Sequence, residues 1–272
     1  MTDLSKLQLV TIQSVPRSGS SWLGQIFKSS PHVEFRFQPL FSYAFKGAVR
    51  TDSTRAEILD FFEGILRTTD DFILQRDDYH VEYPDLADRA AVTHLVMKEV
   101  RYNHVVRHML QQLPELKLVG LVRHPCAVLD SWIHAPREFK PEWAVEGQWR
   151  SGALKNQGRP EEFFGFDKWK EVAQLFMDLE RERPSQVKVV RYADLNSDPF
   201  TTVRDLFAFC GLEYAQETEA FIRQSRSKQG TDANSVYRLV RPDLAWQGRL
   251  PVGVVREIMD ELKEHPLSRF LV

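Results

Sequence analysis

One short segment of the chain places an arginine and several small polar residues a few positions after an apolar run. Residues 9–12 are apolar and partly β-branched, which predicts a buried strand. The helical spacing begins at Trp22, and between the two elements stand Arg17, Ser18, Gly19, Ser20 and Ser21. Small side chains let backbone N–H groups and hydroxyls approach an anion, the helix dipole favours the same charge, and Arg17 adds a cation. The pattern predicts an anion-binding turn.

This turn differs from a Walker A loop. No Gly-Lys-Ser/Thr sequence follows Gly19, so the lysine and the magnesium-binding hydroxyl of that loop are missing. A kinase of the P-loop type is therefore disfavoured. Taken alone, the segment fits an ordinary strand–turn–helix connection equally well, and a second motif has to decide.

A second apolar run ends in an arginine. Residues 118–122 have the length of a strand, Arg123 follows them, and Pro125 stands at a suitable first position of a helix. Arg123 is therefore expected at the carboxyl end of a strand, where open α/β sheets bind their ligands. Its planar guanidinium suits a bidentate contact to phosphate, although a surface arginine at a sheet edge explains the motif as well.

Strand and helix patterns alternate along the chain. The predicted strands cover residues 9–12, 33–37, 91–97, 116–122 and 186–191. The predicted helices cover residues 22–27, 56–66, 102–113, 166–183, 200–209, 216–226 and 251–264. This alternation predicts an α/β fold, with a P-loop-like open parallel sheet flanked by helices and right-handed crossovers, in a single domain spanning residues 1–272.

Composition narrows the possible partners. The chain has 272 residues with 43% hydrophobic content, enough for a large core, and a net charge of −2 makes nucleic acid an unsuitable partner. The two cysteines have no metal-ligand spacing. Residues 1–6 do not resemble a signal peptide, and no apolar stretch approaches the roughly 20 residues of a membrane span. These features predict a cytoplasmic protein without membrane contact.

Four segments, in this order along the chain, resemble motifs of the PAPS-dependent sulfotransferases, most closely those of the carbohydrate type. The first is the turn at residues 17–21, and the second is the Lys-Glu-Val-Arg stretch within residues 97–102. The third is Leu-Val-Arg-His-Pro-Cys-Ala-Val at residues 121–128, with Ser131 eight residues after the arginine. The fourth is Arg-Tyr-Ala-Asp-Leu within residues 190–199. Each motif is weak alone, and the ordered set is specific.

The resemblance implies roles for individual residues. The 5′-phosphosulfate of PAPS would be held by Arg17, Ser18, Gly19, Ser20, Ser21 and Trp22. The 3′-phosphate would be held by Arg123 and Ser131, while Tyr192 and Trp246 would line the nucleotide site. Lys98 and Arg17 would act in catalysis, Lys98 at the bridging oxygen. No metal is expected. For Tyr192 and Trp246, the alternative to a binding role is ordinary core packing. For Lys98, the alternative to a catalytic role is a surface lysine at the end of a strand.

The general base is not identified from the sequence. Many carbohydrate-type relatives read Phe-Glu-Pro-Leu after the second strand, whereas this chain has Gln38 in place of the glutamate, and an amide takes up no proton. The remaining candidates are Glu34, Glu99, His32, His104 and His134. The expected activity is sulfuryl transfer from PAPS to a hydroxyl, with a PAP- or PAPS-binding pseudoenzyme or sensor as the alternative.

Residues 134–165 break the regular pattern. They are loop-like and carry several aromatic residues, which is typical of functional segments rather than of disorder. We expect them to form an acceptor-side segment, with a packing appendage or an oligomer contact as the alternative. Residues 77–83 are a second candidate wall. The acceptor is expected to be a small molecule or a carbohydrate, and the oligomeric state stays open.

Overall fold

The structure, a computed structural model, describes residues 3–76, 92–227 and 243–271. The strands are β1 (Gln8–Gln13), β2 (Val33–Phe37), β3 (His94–Glu99), β4 (Lys117–Val122) and β5 (Val187–Arg191). They form one parallel sheet in the order β2-β3-β1-β4-β5. The predicted open parallel sheet is thus confirmed.

Helices of very different lengths connect the strands. They are α1 (Ser20–Lys28), α2 (Arg55–Arg67), α3 (Asp71–Leu74), α4 (Val106–Gln112), α5 (Pro125–Ile133), α6 (Val145–Gln148), α7 (Ala153–Asn156), α8 (Phe166–Glu182), α9 (Tyr192–Ser197), α10 (Pro199–Cys210), α11 (Gln216–Ser227) and α12 (Val252–Leu262). Short 3₁₀ turns lie at Leu4–Lys6, Pro39–Phe41, Asn103–Val105 and Pro266–Phe270.

The helices cover both faces of the sheet. On one face, α1, α10 and α11 share a core with Val10 and Ile12 of β1. On the other face, α2, α4, α5 and α8 share a core with Leu9 of β1 and Met97 of β3. Successive residues of a strand point to opposite faces, so a sheet covered on both sides needs apolar residues at nearly every position. This explains the apolar runs of the inner strands β1 and β4, whereas the edge strands β2 and β5 contain Glu34, Arg36 and Lys188.

The order of the strands places the candidate turns next to each other. β1 lies in the middle of the sheet, with β3 on one side and β4 on the other. After β1, the chain forms β2 and β3 on one side of β1 and then crosses to form β4 and β5 on the other side. Turns that leave the carboxyl ends of β1 and β4 therefore adjoin at the point where open α/β sheets bind ligands.

The observed elements depart from the predicted ones at a few boundaries. The predicted helix at 102–113 starts late, because Tyr102 has a left-handed backbone (φ 60°) and a 3₁₀ turn precedes α4. The separate helix α9 precedes the predicted helix at 200–209, which begins as α10 at Pro199. The candidate wall at residues 77–83 lies outside the described residues.

Candidate functional site

The turn after β1 and the turn after β4 are joined by hydrogen bonds. Nε of Arg17 donates to Oγ of Ser131 in α5 at 3.1 Å. Nη1 of Arg123 donates to the backbone carbonyl oxygen of Arg17 at 2.8 Å. The structure thus brings the two predicted anion-binding arginines and the predicted serine into one connected unit at the carboxyl edge of the sheet.

The turn after β1 places backbone and side-chain donors at the start of α1. Arg17 (φ 72°) and Gly19 (φ 89°) both have left-handed backbones, which bend the chain sharply before the helix. The amides of Ser20 and Ser21 belong to the first helical turn, where N–H groups have no intrahelical acceptor. Ser18 is fully buried, and its Oγ has no hydrogen-bond partner among the described residues. This local geometry suits an anion.

Tyr192, directly after β5, packs closely over Gly19. A Cβ built at Gly19 would lie 2.7 Å from Cδ2 of the Tyr192 ring. Gly19 therefore serves both the left-handed backbone and the close approach of this ring, and the fourth sequence motif meets the first one in space.

We predict that Gly19→Ala destabilises the fold by about 1–3 kcal/mol more than Gly47→Ala, because it adds a steric conflict to the backbone strain. Gly47 is the matched control, since it has a similar φ of 70° but no atom within 4 Å of a built Cβ. Chemical denaturation of the two variants measures the difference. Equal losses of stability would show that the Tyr192 ring exerts no constraint on the turn.

Arg123 is held by a carboxylate that the sequence analysis did not single out. Its Nε donates to Oδ2 of Asp243 at 2.7 Å, and its Nη2 donates to Oδ1 of the same side chain. Burial lowers the pKa of Arg123, but the hydrogen bonds and the charge of Asp243 outweigh burial and raise it overall. Nη1 also donates one N–H to the Arg17 carbonyl oxygen. Each terminal nitrogen of Arg123 therefore keeps one N–H that its contacts with the described residues do not use, and this pair matches two oxygens of an anion. The Tyr192 ring lies 5.0 Å from the guanidinium carbon.

Trp246 lies against the same turn. Its ring stacks on His124 with centroids 4.8 Å apart, and its Nε1 donates to the Asp243 carbonyl oxygen at 3.1 Å. Burial lowers the pKa of His124 to about 4, so the ring is neutral, and its Nδ1 accepts a hydrogen bond from the Cys126 N–H at 3.1 Å. His124 therefore caps α5 without adding charge near Arg123.

Trp22 uses both of its N–H groups inside the protein. Its backbone N–H donates to the Gly19 carbonyl oxygen at 3.1 Å, and its indole Nε1 donates to Oγ of Ser225 in α11 at 3.0 Å. Any contact of Trp22 with a ligand would therefore be a contact of the half-buried ring. Its binding role stays a prediction.

Lys98 is buried near the end of β3. Its Nζ lies 4.6 Å from the centroid of the Phe37 ring. Burial lowers the pKa of Lys98 to about 7; among the neighbouring charges, Glu99 raises it, while Arg101 and Arg17 lower it. The site therefore contains an ammonium group whose charged form would be stabilised by an added anion.

Two of the candidate proton acceptors lie away from this edge. His32 precedes β2 at the amino edge of the sheet, where its Nε2 lies 3.6 Å from Oε2 of Glu213. Glu34 is the second residue of β2 and accepts a hydrogen bond from Nη1 of Arg36 at 2.9 Å. The geometry supports neither residue as a base at the carboxyl edge.

The remaining histidines are engaged elsewhere. Burial lowers the pKa of His104, whose ring lies between those of Tyr102 and Phe163, at centroid distances of 5.9 and 6.3 Å. His134, at the end of α5, contacts both the backbone and the carboxylate of Asp130.

Gln38 and Glu99 lie together at the carboxyl edge. Gln38 adopts a left-handed backbone (φ 43°) directly before the 3₁₀ turn Pro39–Phe41. Oε1 of Glu99 accepts a hydrogen bond from the Leu40 N–H in this turn at 2.7 Å. Burial raises the pKa of Glu99 to about 8. Of the carboxylates considered, Glu99 is the one beside Lys98.

The irregular segment at 134–165 is folded against the main core. Trp149, Phe163 and Phe164 are all buried, so these aromatic side chains have a packing role whether or not the segment also binds an acceptor. Nε of Arg101 lies 3.0 Å from Oε2 of Glu162, in an ion pair that links this segment to the end of β3. The function of the segment in acceptor binding stays a prediction.

Within residues 3–76, 92–227 and 243–271, no group of three or more His, Cys, Asp or Glu side chains is arranged to hold a metal ion. Within the same ranges, every helix is too short or too polar to cross a bilayer.

The chain matches the model of the sulfotransferase family over residues 10–216. It is similar to carbohydrate sulfotransferase 5 of Mus musculus, with 27% identity over 187 residues, covering 63% of this chain and 46% of that protein. It is also similar to carbohydrate sulfotransferase 6 of Homo sapiens, with 27% identity over 184 residues, covering 62% and 45%. The chain thus spans less than half the length of these two curated relatives.

A solved structure shows the same fold. The mouse sulfotransferase SULT7A1, in complex with PAP, superposes with a TM-score of 0.57 at 13% identity, covering 97% of this chain and 88% of that one. At this identity the likeness bears on the fold alone.

Proposed function

Because this chain belongs to the sulfotransferase family, we propose that it transfers a sulfuryl group from PAPS to a hydroxyl acceptor and releases PAP. The observation that carries the proposal is the joined pair of turns, in which Arg123 donates to the backbone of Arg17 and Arg17 donates to Ser131. PAPS carries negative charge at its 5′-phosphosulfate and at its 3′-phosphate. Two adjoining cationic turns match a nucleotide that carries two separate anionic groups.

The residues present fit this donor in chemical type. The turn at residues 17–21 offers N–H groups at the start of α1 and the unpartnered hydroxyl of buried Ser18, which suits the 5′-phosphosulfate. Arg123 offers two further N–H groups, which together with Ser131 suit the 3′-phosphate. The Tyr192 ring lies beside Arg123, and Trp246 stacks on the next residue, His124. These two aromatic rings would form the wall of the nucleotide site.

Lys98 and Arg17 supply the positive field of the proposed reaction. In an in-line displacement, the bond from the acceptor oxygen to sulfur forms while the bond from sulfur to the phosphate oxygen breaks. The protein positions the two reactants and stabilises the charge that develops on the leaving oxygen. Lys98, at the end of β3 beside the turn after β1, is suited to that oxygen in its protonated form.

For the acceptor, we propose a carbohydrate. The relatives in sequence are named as carbohydrate sulfotransferases. Phe41 and Phe72 keep 43% and 36% of their surface exposed. Phe72 packs against Phe37, the ring that contacts Lys98, and Phe41 packs against Phe72. Exposed aromatic faces beside the reacting centre are suited to stack against the apolar face of a sugar ring.

A second function has one observation in its favour. Gln38 supplies no proton acceptor at the position after β2, which would suit a PAP-binding sensor that does not catalyse transfer. Sensor and enzyme share the nucleotide site and differ in turnover alone.

The experiment combines binding with turnover. Calorimetry compares PAP with ATP and magnesium, and labelled PAPS is then incubated with monosaccharide glycosides, phenols and amines. We expect preferential binding of PAP and transfer of label to a glycoside. Preference for ATP with magnesium would refute the proposal, and PAP binding without consumption of PAPS would favour the sensor.

A further inference from the structure

A row of polar side chains crosses the carboxyl ends of three neighbouring strands. Gln13 ends β1 and pairs in register with Glu99, which ends β3. Gln38 follows β2 and donates its backbone N–H to the carbonyl oxygen of Lys98 at 2.8 Å, so it stands beside Glu99 at the next register position. All of these side chains are buried.

Each member of the row keeps an oxygen without a donor among the described residues. These atoms are Oε1 of Gln13, Oε2 of Glu99 and Oε1 of Gln38. A buried acceptor left unsatisfied costs about 1–3 kcal/mol. Three such acceptors at the edge where the sheet binds ligands match a ligand that brings donors, as hydroxyl groups do.

Glu99 differs from the other buried carboxylates of the described residues. Asp130 and Glu162 each pair with an arginine, whereas Glu99 takes part in no ion pair within this part of the chain. Its Oε1 is fixed by the N–H of Leu40 at 2.7 Å, which orients the carboxylate and leaves Oε2 for another partner.

The surroundings of Glu99 favour proton uptake. Burial raises its pKa to about 8, and the hydrogen bond from Leu40 and the charges of Lys98 and Arg101 act in the opposite direction. Burial and the charges of Glu161 and Glu99 raise the pKa of Tyr102. The adjoining residues of β1 and of the turn after β2 are uncharged. A carboxylate whose pKa lies near the working pH is an efficient general base.

We propose that Glu99 is the general base that takes the proton from the acceptor hydroxyl, a role that rests on the transfer activity proposed above. Lys98 and Glu99 are the last two residues of β3, so their side chains leave opposite faces of the sheet at the same carboxyl edge, where the acceptor hydroxyl and the leaving oxygen would lie on different sides of the sulfur. The O–H bond of the acceptor breaks, and its proton passes to Oε2 of Glu99. The acceptor oxygen bonds to sulfur while the bond from sulfur to the phosphate oxygen breaks, and that electron pair leaves with PAP. The carboxyl group then releases the proton to water.

The test compares two acceptors that differ in their need for a base. A sugar hydroxyl must lose its proton during transfer, whereas 4-nitrophenol is largely ionised at pH 8. For Glu99→Gln, we expect kcat for the best glycoside of the panel to fall by about 10²–10³, while kcat for 4-nitrophenol and the Kd for PAP change by less than about threefold. The matched control is Glu34→Gln, the same substitution at an ion-paired residue of β2, which should leave both rates unchanged.

A second variant separates a chemical role from a structural one. Gln38→Glu in the Glu99→Gln background moves the carboxylate to the neighbouring strand, at the position in register with residue 99. We expect kcat of this double variant for the glycoside to be at least about tenfold higher than that of Glu99→Gln. In the wild type, kcat for the glycoside should fall on acidification as Glu99 becomes protonated, and Glu99→Gln should remove this decline.

Three results would overturn the role of Glu99. The first is an unchanged kcat for the glycoside in Glu99→Gln, and the second is an equal loss of kcat for the glycoside and for 4-nitrophenol. The third is a kcat of Glu99→Gln that still falls on acidification as in the wild type. A wild-type protein that neither binds PAP nor consumes PAPS would instead refute the proposed function, and the base with it. Binding and hydrolysis of PAPS by the variants distinguish the two failures.

Discussion

Lys98→Met is expected to lower kcat by about 10²–10³ and to raise the stability of the folded protein at the same time. The loss of rate follows from the missing positive charge at the leaving oxygen. The Kd for PAP should change far less than kcat, because the two joined arginine turns provide most of the proposed contacts with the nucleotide.

The gain in stability follows from the buried ammonium group. Burial lowers the pKa of Lys98 from its ordinary 10.5 to about 7, so the folded state binds fewer protons than the unfolded state between these values. The cost of the buried charge is therefore complete below pH 7 and disappears as the pH rises toward 10.5. Methionine removes this cost, and the gain of the variant should be largest near pH 6.

Chemical denaturation at pH 6 and pH 9, together with steady-state kinetics, measures both effects. Lys188→Met, in the edge strand β5, is the control for replacing a lysine within a strand. Loss of stability in Lys98→Met at pH 6, or a rate within about threefold of the wild type, would contradict the assigned role.

The second large effect concerns the affinity for the nucleotide. Arg123→Met is expected to weaken PAP binding by about 10²–10³, since a charge-assisted pair of hydrogen bonds to a buried phosphate is worth several kcal/mol. The variant also leaves the carboxylate of Asp243 without its partner, beside the phosphate that it would repel. Calorimetry with PAP measures the loss.

Asp243→Asn is the informative companion variant. It keeps an oxygen for the guanidinium but removes the negative charge next to the proposed 3′-phosphate, so PAP should bind at least as tightly as to the wild type. Weaker binding would show that Asp243 positions Arg123 more than it opposes the ligand. Unchanged binding in Arg123→Met would remove Arg123 from the nucleotide site.

The backbone framework could be predicted from the sequence because its signals are local. Apolar runs predicted β1 and β4, and the ordered motifs predicted which turns carry Arg17 and Arg123. The parallel order of the sheet then accounts for their meeting, since the turns after adjoining strands lie at one edge. The family model covers the same motifs.

The pairings across long sequence distances could not be predicted. Asp243 stands 120 residues from Arg123, and its proximity to Trp246 was the one local signal. Among the described residues, Arg101 forms its ion pair with Glu162 of the irregular segment rather than with the nearby Glu99, and no local pattern indicates this pairing. The burial of Trp149 and Phe164 likewise depends on how that segment folds back, which aromatic content alone does not specify.

The hydrogen bond from Arg123 to the Arg17 backbone also bears on the distance between the two proposed anion-binding turns. If the two turns bind the two charged groups of one nucleotide, as proposed, this bond would hold the two binding positions at a set separation. A nucleotide whose charged groups have a different separation would therefore bind at one of the two turns and make no contact at the other. Discrimination among nucleotides would then come from the distance between their phosphates as much as from the number of charges.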